Sequence, residues 1–133
     1  MKAQDIMTKD VLSVDQSTYV REAVRIMAEN DIGAVIVQIE GPAFGIFTQR
    51  DLITRVVAKG MDIGTTKLKD VMTQSIKCAQ ADDSVDDVLK VMYEENIRYL
   101  PVMDKRKLVG IISTADLFKV TFRASEGYTE EVL

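Results

Sequence analysis

The chain of 133 residues contains no histidine, no tryptophan, one cysteine and two prolines. The missing histidine removes the usual general base at neutral pH, the commonest metal ligand and the usual pH switch. Ser-His-Asp and Cys-His machinery is therefore excluded, and neither a catalytic residue nor a metal ligand is expected. A single thiol, Cys78, makes no internal disulfide and has no second cysteine for a zinc site. It reads as a small strand or core residue rather than a reactive group. No run approaches the 18 apolar residues of a membrane helix, and Lys2, Gln4 and Asp5 stand where a signal peptide needs apolar residues. A cytoplasmic protein is expected. A basic excess is also missing: 17 Lys and Arg face 21 Asp and Glu, a net charge of −4, which argues against nucleic acid as a partner.

What the chain does have is itself twice. Asp5, Met7 and Thr8 recur 65 positions later as Asp70, Met72 and Thr73, and Gly45, Ile46, Asp51 and Leu52 recur as Gly110, Ile111, Asp116 and Leu117. Val20, Met27, Glu29, Ile32 and Val37 have identical partners at the same offset. A unit of about 60 residues is marginal by itself, so two copies are expected to pack together around one core, with two equivalent crevices at the seam. The boundaries read as repeat 1 over 1–60, a linker over 61–66, repeat 2 over 67–123 and a polar tail over 124–133, frayed or used between subunits.

Each repeat alternates strand and helix periods. Val11–Val14 and Ser75–Ala79 read as short strands. Val20, Ala23, Val24 and Met27, like Val85, Val88, Leu89 and Met92, fall at i, i+3, i+4, i+7, which predicts amphipathic helices over 19–30 and 84–95. Thr18 and Asp83 are the expected N-caps, and Asn30 and Asn96 stand near the C-terminal ends. Strands follow over 34–38 and 43–47, and over 100–103 and 108–112, each pair joined by a short hairpin connection. Pro101 lacks an N–H and is expected at an edge or a strand start. Second helices begin near Gln49 and Thr114. The fold class is therefore α/β in the broad sense (α+β), strand-helix-strand-strand-helix in each repeat. Met7, Met27, Met72 and Met92 read as packing residues, and the acids Asp82, Asp83, Asp86 and Asp87 as helix-start charge.

The sharpest motif is T-x-x-D at Thr48 and Asp51, repeated as S-x-x-D at Ser113 and Asp116. One reading is a capping box, in which hydroxyl and acid satisfy each other's backbone amides. The other is a nucleoside site. A helix start attracts anions, and a first-turn carboxylate accepts from both hydroxyls of a ribose. The readings are compatible.

Three elements in order, twice, carry a resemblance to a known family: the D-x-M-T opening, I-x-x-L-P-V at Ile97–Val102, and the closing G-I-x-T/S-x-x-D-L. The chain resembles a tandem pair of CBS domains, a Bateman module, over about residues 2–122. The resemblance implies two repeats around a pseudo-twofold axis, small sheets back to back with flanking helices, and an adenosine-containing ligand in each inter-repeat cleft. One cleft would use Ser113 and Asp116 with Thr8, Val11, Ile32 and Gly33, and the other Thr48 and Asp51 with Thr73, Ile76 and Ile97. Ligands implied are AMP, ADP or ATP, or a related adenosyl compound such as S-adenosylmethionine or NADH. A regulatory module is implied rather than an enzyme, with no cofactor of its own. A structural protein with degenerate clefts is the alternative.

The copies differ where charge matters. Arg98 replaces Gly33, either to neutralise a phosphate in the Ser113/Asp116 cleft or as an exposed strand-edge arginine with no ligand, and Arg50 replaces Ala115, either to reach a phosphate or to pair on the surface. Unequal clefts follow, with the Arg98 side favoured. Family modules commonly pair, so a homodimer is expected, with Ile53, Val56, Val57, Phe118 and Phe122 as contact candidates; an additional protein partner stays open.

Overall fold

The structure is a computed structural model that describes residues 1–124, with side chains through Thr121. The expected tail from Ser125 on and the Phe122 side chain lie outside the described residues. Mixed α+β structure is present, with two three-stranded sheets.

The chain forms two compact units, and they are not simply the first and second halves. One is Val11–Ile76; the other joins Met1–Asp10 to the chain from Lys77 on. Each unit thus takes its opening D-x-M-T segment from the other copy of the repeat. Each also has its own hydrophobic core, where one shared core was expected.

In the Val11–Ile76 unit, β1 (Ser13–Asp15) pairs in parallel with β2 (Ala34–Gln38), and β2 pairs antiparallel with β3 (Phe44–Thr48). Helix α2 (Val20–Glu29) puts Val20, Ala23 and Met27 into the core beside Val35, Val37 and Phe47. The 3-10 turn Leu68–Asp70 follows the linker. It delivers Leu68, Val71 and Met72 into that same core. Thr73 exchanges both backbone hydrogen bonds with Ile46, at 2.8 and 2.9 Å.

The other unit repeats the plan. β4 (Ala79–Gln80) pairs in parallel with β5 (Tyr99–Asp104), which pairs antiparallel with β6 (Lys107–Ser113). Helix α4 (Val85–Glu94) buries Val88 and Met92. The short helix α1 (Ala3–Ile6) buries Ala3 in this core, and Thr8 exchanges hydrogen bonds with Ile111 as Thr73 does with Ile46.

Several expectations are corrected. The N-cap residues are Tyr19 and Ser84, not Thr18 and Asp83. The Ser84 hydroxyl accepts from the Asp87 N–H at 3.1 Å, while the Asp83 carboxylate accepts from Gln80 N–H. Asn30 does stand at the C-terminal end of its helix, its side-chain amide donating to the Ile26 carbonyl at 2.8 Å, and the left-handed conformation falls on Asp31 and Asn96, with φ of 51° and 52°. The N–H groups of Ile32 and Ile97 then reach back to the Met27 and Met92 carbonyls, closing Schellman-type ends.

The outer strands begin later than predicted, and Pro101 lies in a central strand. Its counterpart Ile36 donates to the Leu12 carbonyl at 3.0 Å. Pro101 has no hydrogen to give, and β4 starts only opposite Val102. Cys78 consequently precedes β4 and is exposed, although partial burial pushes its thiol up.

The second helices also diverge. α5 (Thr114–Ala124) is α-helical throughout, whereas α3 (Gln49–Asp51) passes into a π-helix over Leu52–Val57. Val56 is fully buried in the core, so it is not a surface contact, while Ile53, Val57 and Phe118 are exposed.

Candidate ligand site

Both T/S-x-x-D motifs stand where an antiparallel strand turns directly into a helix. In the Val11–Ile76 unit, the Asp51 Oδ2 accepts from the Thr48 N–H at 2.9 Å and its hydroxyl at 3.2 Å, and the Thr48 hydroxyl accepts from the Asp51 N–H at 3.3 Å. In the other unit, the Asp116 Oδ2 accepts from the Ser113 N–H at 2.9 Å and its hydroxyl at 3.1 Å, and Ser113 Oγ accepts from the Asp116 N–H at 3.2 Å. The capping box forms in both copies, so that reading of the motif is correct. It uses one carboxylate oxygen and leaves the other to the surroundings.

The second oxygens differ. Asp51 Oδ1 accepts from the Thr73 hydroxyl at 2.9 Å and lies 3.5 Å from Arg55 Nε. The Arg55 Nη1 donates in turn to the Met72 carbonyl at 2.8 Å. Asp51 is only 5% exposed. Asp116 is half-buried, and among the described residues no hydrogen-bond donor or cation is on its Oδ1. The residue instead lines a cavity of about 500 Å3, together with Met1, Asp5, Ile6, Met7, Thr8, Lys119 and Val120. This volume falls within the range of small-molecule sites.

The remaining site residues divide between the units. Thr8 shares a unit with Ser113 and Asp116, as Thr73 and Ile76 do with Thr48 and Asp51. Val11, Ile32 and Gly33 belong to the Val11–Ile76 unit, and Ile97 and Arg98 to the other. Within their own units, the Gly33 carbonyl accepts from the Gln49 N–H and the Arg98 carbonyl from the Thr114 N–H, both at 3.0 Å. Arg98 therefore stands beside the start of α5, and Gly33 beside that of α3. Arg50 is exposed on α3, and its carbonyl accepts from the Thr54 hydroxyl. Tyr99 pairs with Ser113, and burial pushes its phenol up against the opposing pull of Arg98.

Sequence reasoning missed Lys119, Val120 and Arg55. The signal was available, because Arg55 and Val120 occupy matching places in the two copies, one helical turn after the acid.

Two α+β units, each with a strand that turns into a helix through a T/S-x-x-D capping box, are the plan that the comparisons with known proteins share. A family model described as CBS domain matches residues 3–58 and again 68–122, and the chain belongs to the CBS-domain family. It is 33% identical over 114 residues to the CBS domain-containing protein YhcV of Bacillus subtilis, covering 86% of this chain and 81% of that one. It is 35% identical over 120 residues to inosine-5'-monophosphate dehydrogenase of Methanocaldococcus jannaschii, covering 89% of this chain but 23% of that enzyme. The structure of a signal-transduction-type protein with CBS domains from Burkholderia ambifaria superposes with a TM-score of 0.90 at 28% identity, covering 98% of this chain and all of that one. Among the described residues no helix is long and apolar enough to cross a membrane.

Proposed function

We propose that the chain is a cytoplasmic ligand-sensing regulator that binds an adenosine nucleotide of the AMP, ADP or ATP type at Thr8, Ser113 and Asp116. The observation that carries this reading is Asp116 on the wall of the 500 Å3 cavity, with no hydrogen-bond donor or cation on its Oδ1 among the described residues. Its partner oxygen is held by the cap, so the carboxylate is fixed in orientation before any ligand arrives. A ribose diol supplies two donors to such an oxygen. Lys119 on the cavity wall offers a cation for phosphate, and Arg98 stands near the same helix start. Ile6, Met7 and Val120 supply apolar surface for a base.

Binding rather than turnover is the role that fits these groups. Both acids serve as helix caps, which suits holding a ligand and not exchanging protons with it. The dehydrogenase relative is matched over less than a quarter of its length, so its activity does not transfer. A homodimer completes the reading, supported by the exposed apolar residues Ile53, Val57 and Phe118.

Isothermal titration with AMP, ATP, S-adenosylmethionine and NADH tests the ligand, on protein shown by native mass spectrometry to be free of retained small molecules. The same spectrum reports whether the chain is a dimer. Asp116→Asn is expected to weaken nucleotide binding roughly tenfold to a hundredfold, the worth of one or two hydrogen bonds to a charged acceptor. Silence from all four compounds would sink the proposal.

A further inference from the structure

The two acid sites are homologous in sequence yet differ in state, and among their differences Arg55 against Val120 is the one that touches the acid itself. Thr73, Asp51 and Arg55 match Thr8, Asp116 and Val120 at the 65-residue offset. A carboxylate offers about four lone-pair sites. On Asp51 both oxygens are engaged: the Thr48 N–H and hydroxyl donate to Oδ2, the Thr73 hydroxyl donates to Oδ1, and the Arg55 guanidinium makes an ion-pair contact with Oδ1 at 3.5 Å. On Asp116 the cap takes only Oδ2.

We propose that Arg55 is a built-in occupant of the Thr48/Asp51/Thr73 site, closing it so that the chain takes a single nucleotide, at Asp116. The proposal rests on the nucleotide reading given above and adds stoichiometry and its cause.

The guanidinium acts twice. Its Nε faces Asp51 Oδ1, where a ribose would donate. Its Nη1 holds the Met72 carbonyl, and the next residue, Thr73, then delivers its hydroxyl to the same oxygen. In the other unit Val120 can do neither. There Thr8 is exposed, and its hydroxyl makes no hydrogen bond with Asp116. Burial follows the same division: Val71, Met72 and Asp51 are buried, while their counterparts Ile6, Met7 and Asp116 are only half-buried. The backbone differs as well. Arg55 rides on the π-helical stretch, where Ala58 N–H bonds to the Ile53 carbonyl five residues back at 2.9 Å. Its counterpart lies on regular α-helix. Such widened turns recur at functional positions.

The test exchanges the two residues in the full chain and counts sites by titration with AMP and with ATP. Wild-type protein is expected to bind one nucleotide per chain, Arg55→Met two, and Val120→Arg none within a tenfold weaker range. Arg55→Lys keeps the charge but not the planar two-pronged grip, so it is expected to bind between one and two. Two sites in the wild type, or one in Arg55→Met, overturns the proposal.

A second arm needs no nucleotide. Hydrogen exchange at the amides of Ile46 and Thr73, which bond each other's carbonyls, is expected to accelerate at least fivefold in Arg55→Met relative to Val35 and Val37 in β2. An unchanged ratio overturns the closure even if the protein binds none of the nucleotides. Silence in titration with an accelerated ratio would instead reject the ligand reading and keep the closure.

Discussion

Gly45 and Gly110 show how a single missing side chain fixes where distant segments meet. A Cβ on Gly45 would stand 2.8 Å from the Thr73 carbonyl oxygen and 3.1 Å from the Met72 sulfur. A Cβ on Gly110 would stand 2.9 Å from the Thr8 carbonyl and 2.5 Å from the Met7 sulfur. Both glycines therefore admit the D-x-M-T segment against the edge of β3 or β6. In Gly45→Ala the contact is with backbone and cannot be relieved by a rotamer change. We expect a loss of about 1–3 kcal/mol, typical of overpacking, read by urea denaturation, with greater exposure of Thr73 to hydrogen exchange. The sequence displayed these glycines as repeated residues but not their purpose. Nothing within a few residues of Gly45 encodes the arrival of a segment from beyond the linker. The T/S-x-x-D pairs were legible as caps because both partners lie within one turn. The closure by Arg55 was hidden, since a lone arginine on a helix gives no local sign of what it reaches.

At the scale of elements, long periodic segments were legible and their ends less so. Helices α2 and α4 lie within one residue of the predicted spans, because a repeated i, i+3, i+4, i+7 face accumulates evidence over three turns. The caps are single-residue decisions, and there tertiary packing intervenes. The Asp83 carbonyl accepts from the Ala3 N–H, while its side chain turns to Gln80. The cap then falls to Ser84. Ser84→Ala is expected to cost about 1 kcal/mol, the usual worth of such a cap, whereas Thr18→Ala, with no capping bond to lose, should cost less than half as much. Thermal melts of the two variants side by side make the comparison, and equal losses would contradict the assignment. The late start of β4 follows from one absent hydrogen on Pro101, an effect read only once its strand neighbour is known. The π-helix was not legible at all. Over six residues the apolar spacing of a π-turn and of an α-turn are too similar to separate.

For the molecule as a whole, the repeat in the sequence and the unit in space are different objects. A repeat ends its core contribution at Val56, yet the Val11–Ile76 unit is completed by Leu68, Val71 and Met72, all nearly or fully buried in it. A fragment covering residues 1–60 lacks those three side chains and carries Ala3, whose core is elsewhere. At about 1.5–3 kcal/mol for each large buried side chain, the loss is of order 5 kcal/mol. That is comparable to the entire stability of many domains. A fragment covering residues 11–76 retains the whole core together with the Thr48–Asp51–Thr73–Arg55 cluster. Its size still leaves it marginal, but it is expected to show cooperative urea unfolding and protected amides in β2, while the 1–60 fragment shows neither. If the 1–60 fragment were as well protected as 11–76, the exchanged opening segment would be an ornament of the fold. If only 11–76 folds, each unit requires a segment encoded by the other repeat. The duplication is then what makes the two copies indispensable to each other, and it also brings the threonine of one repeat to the acid of the other.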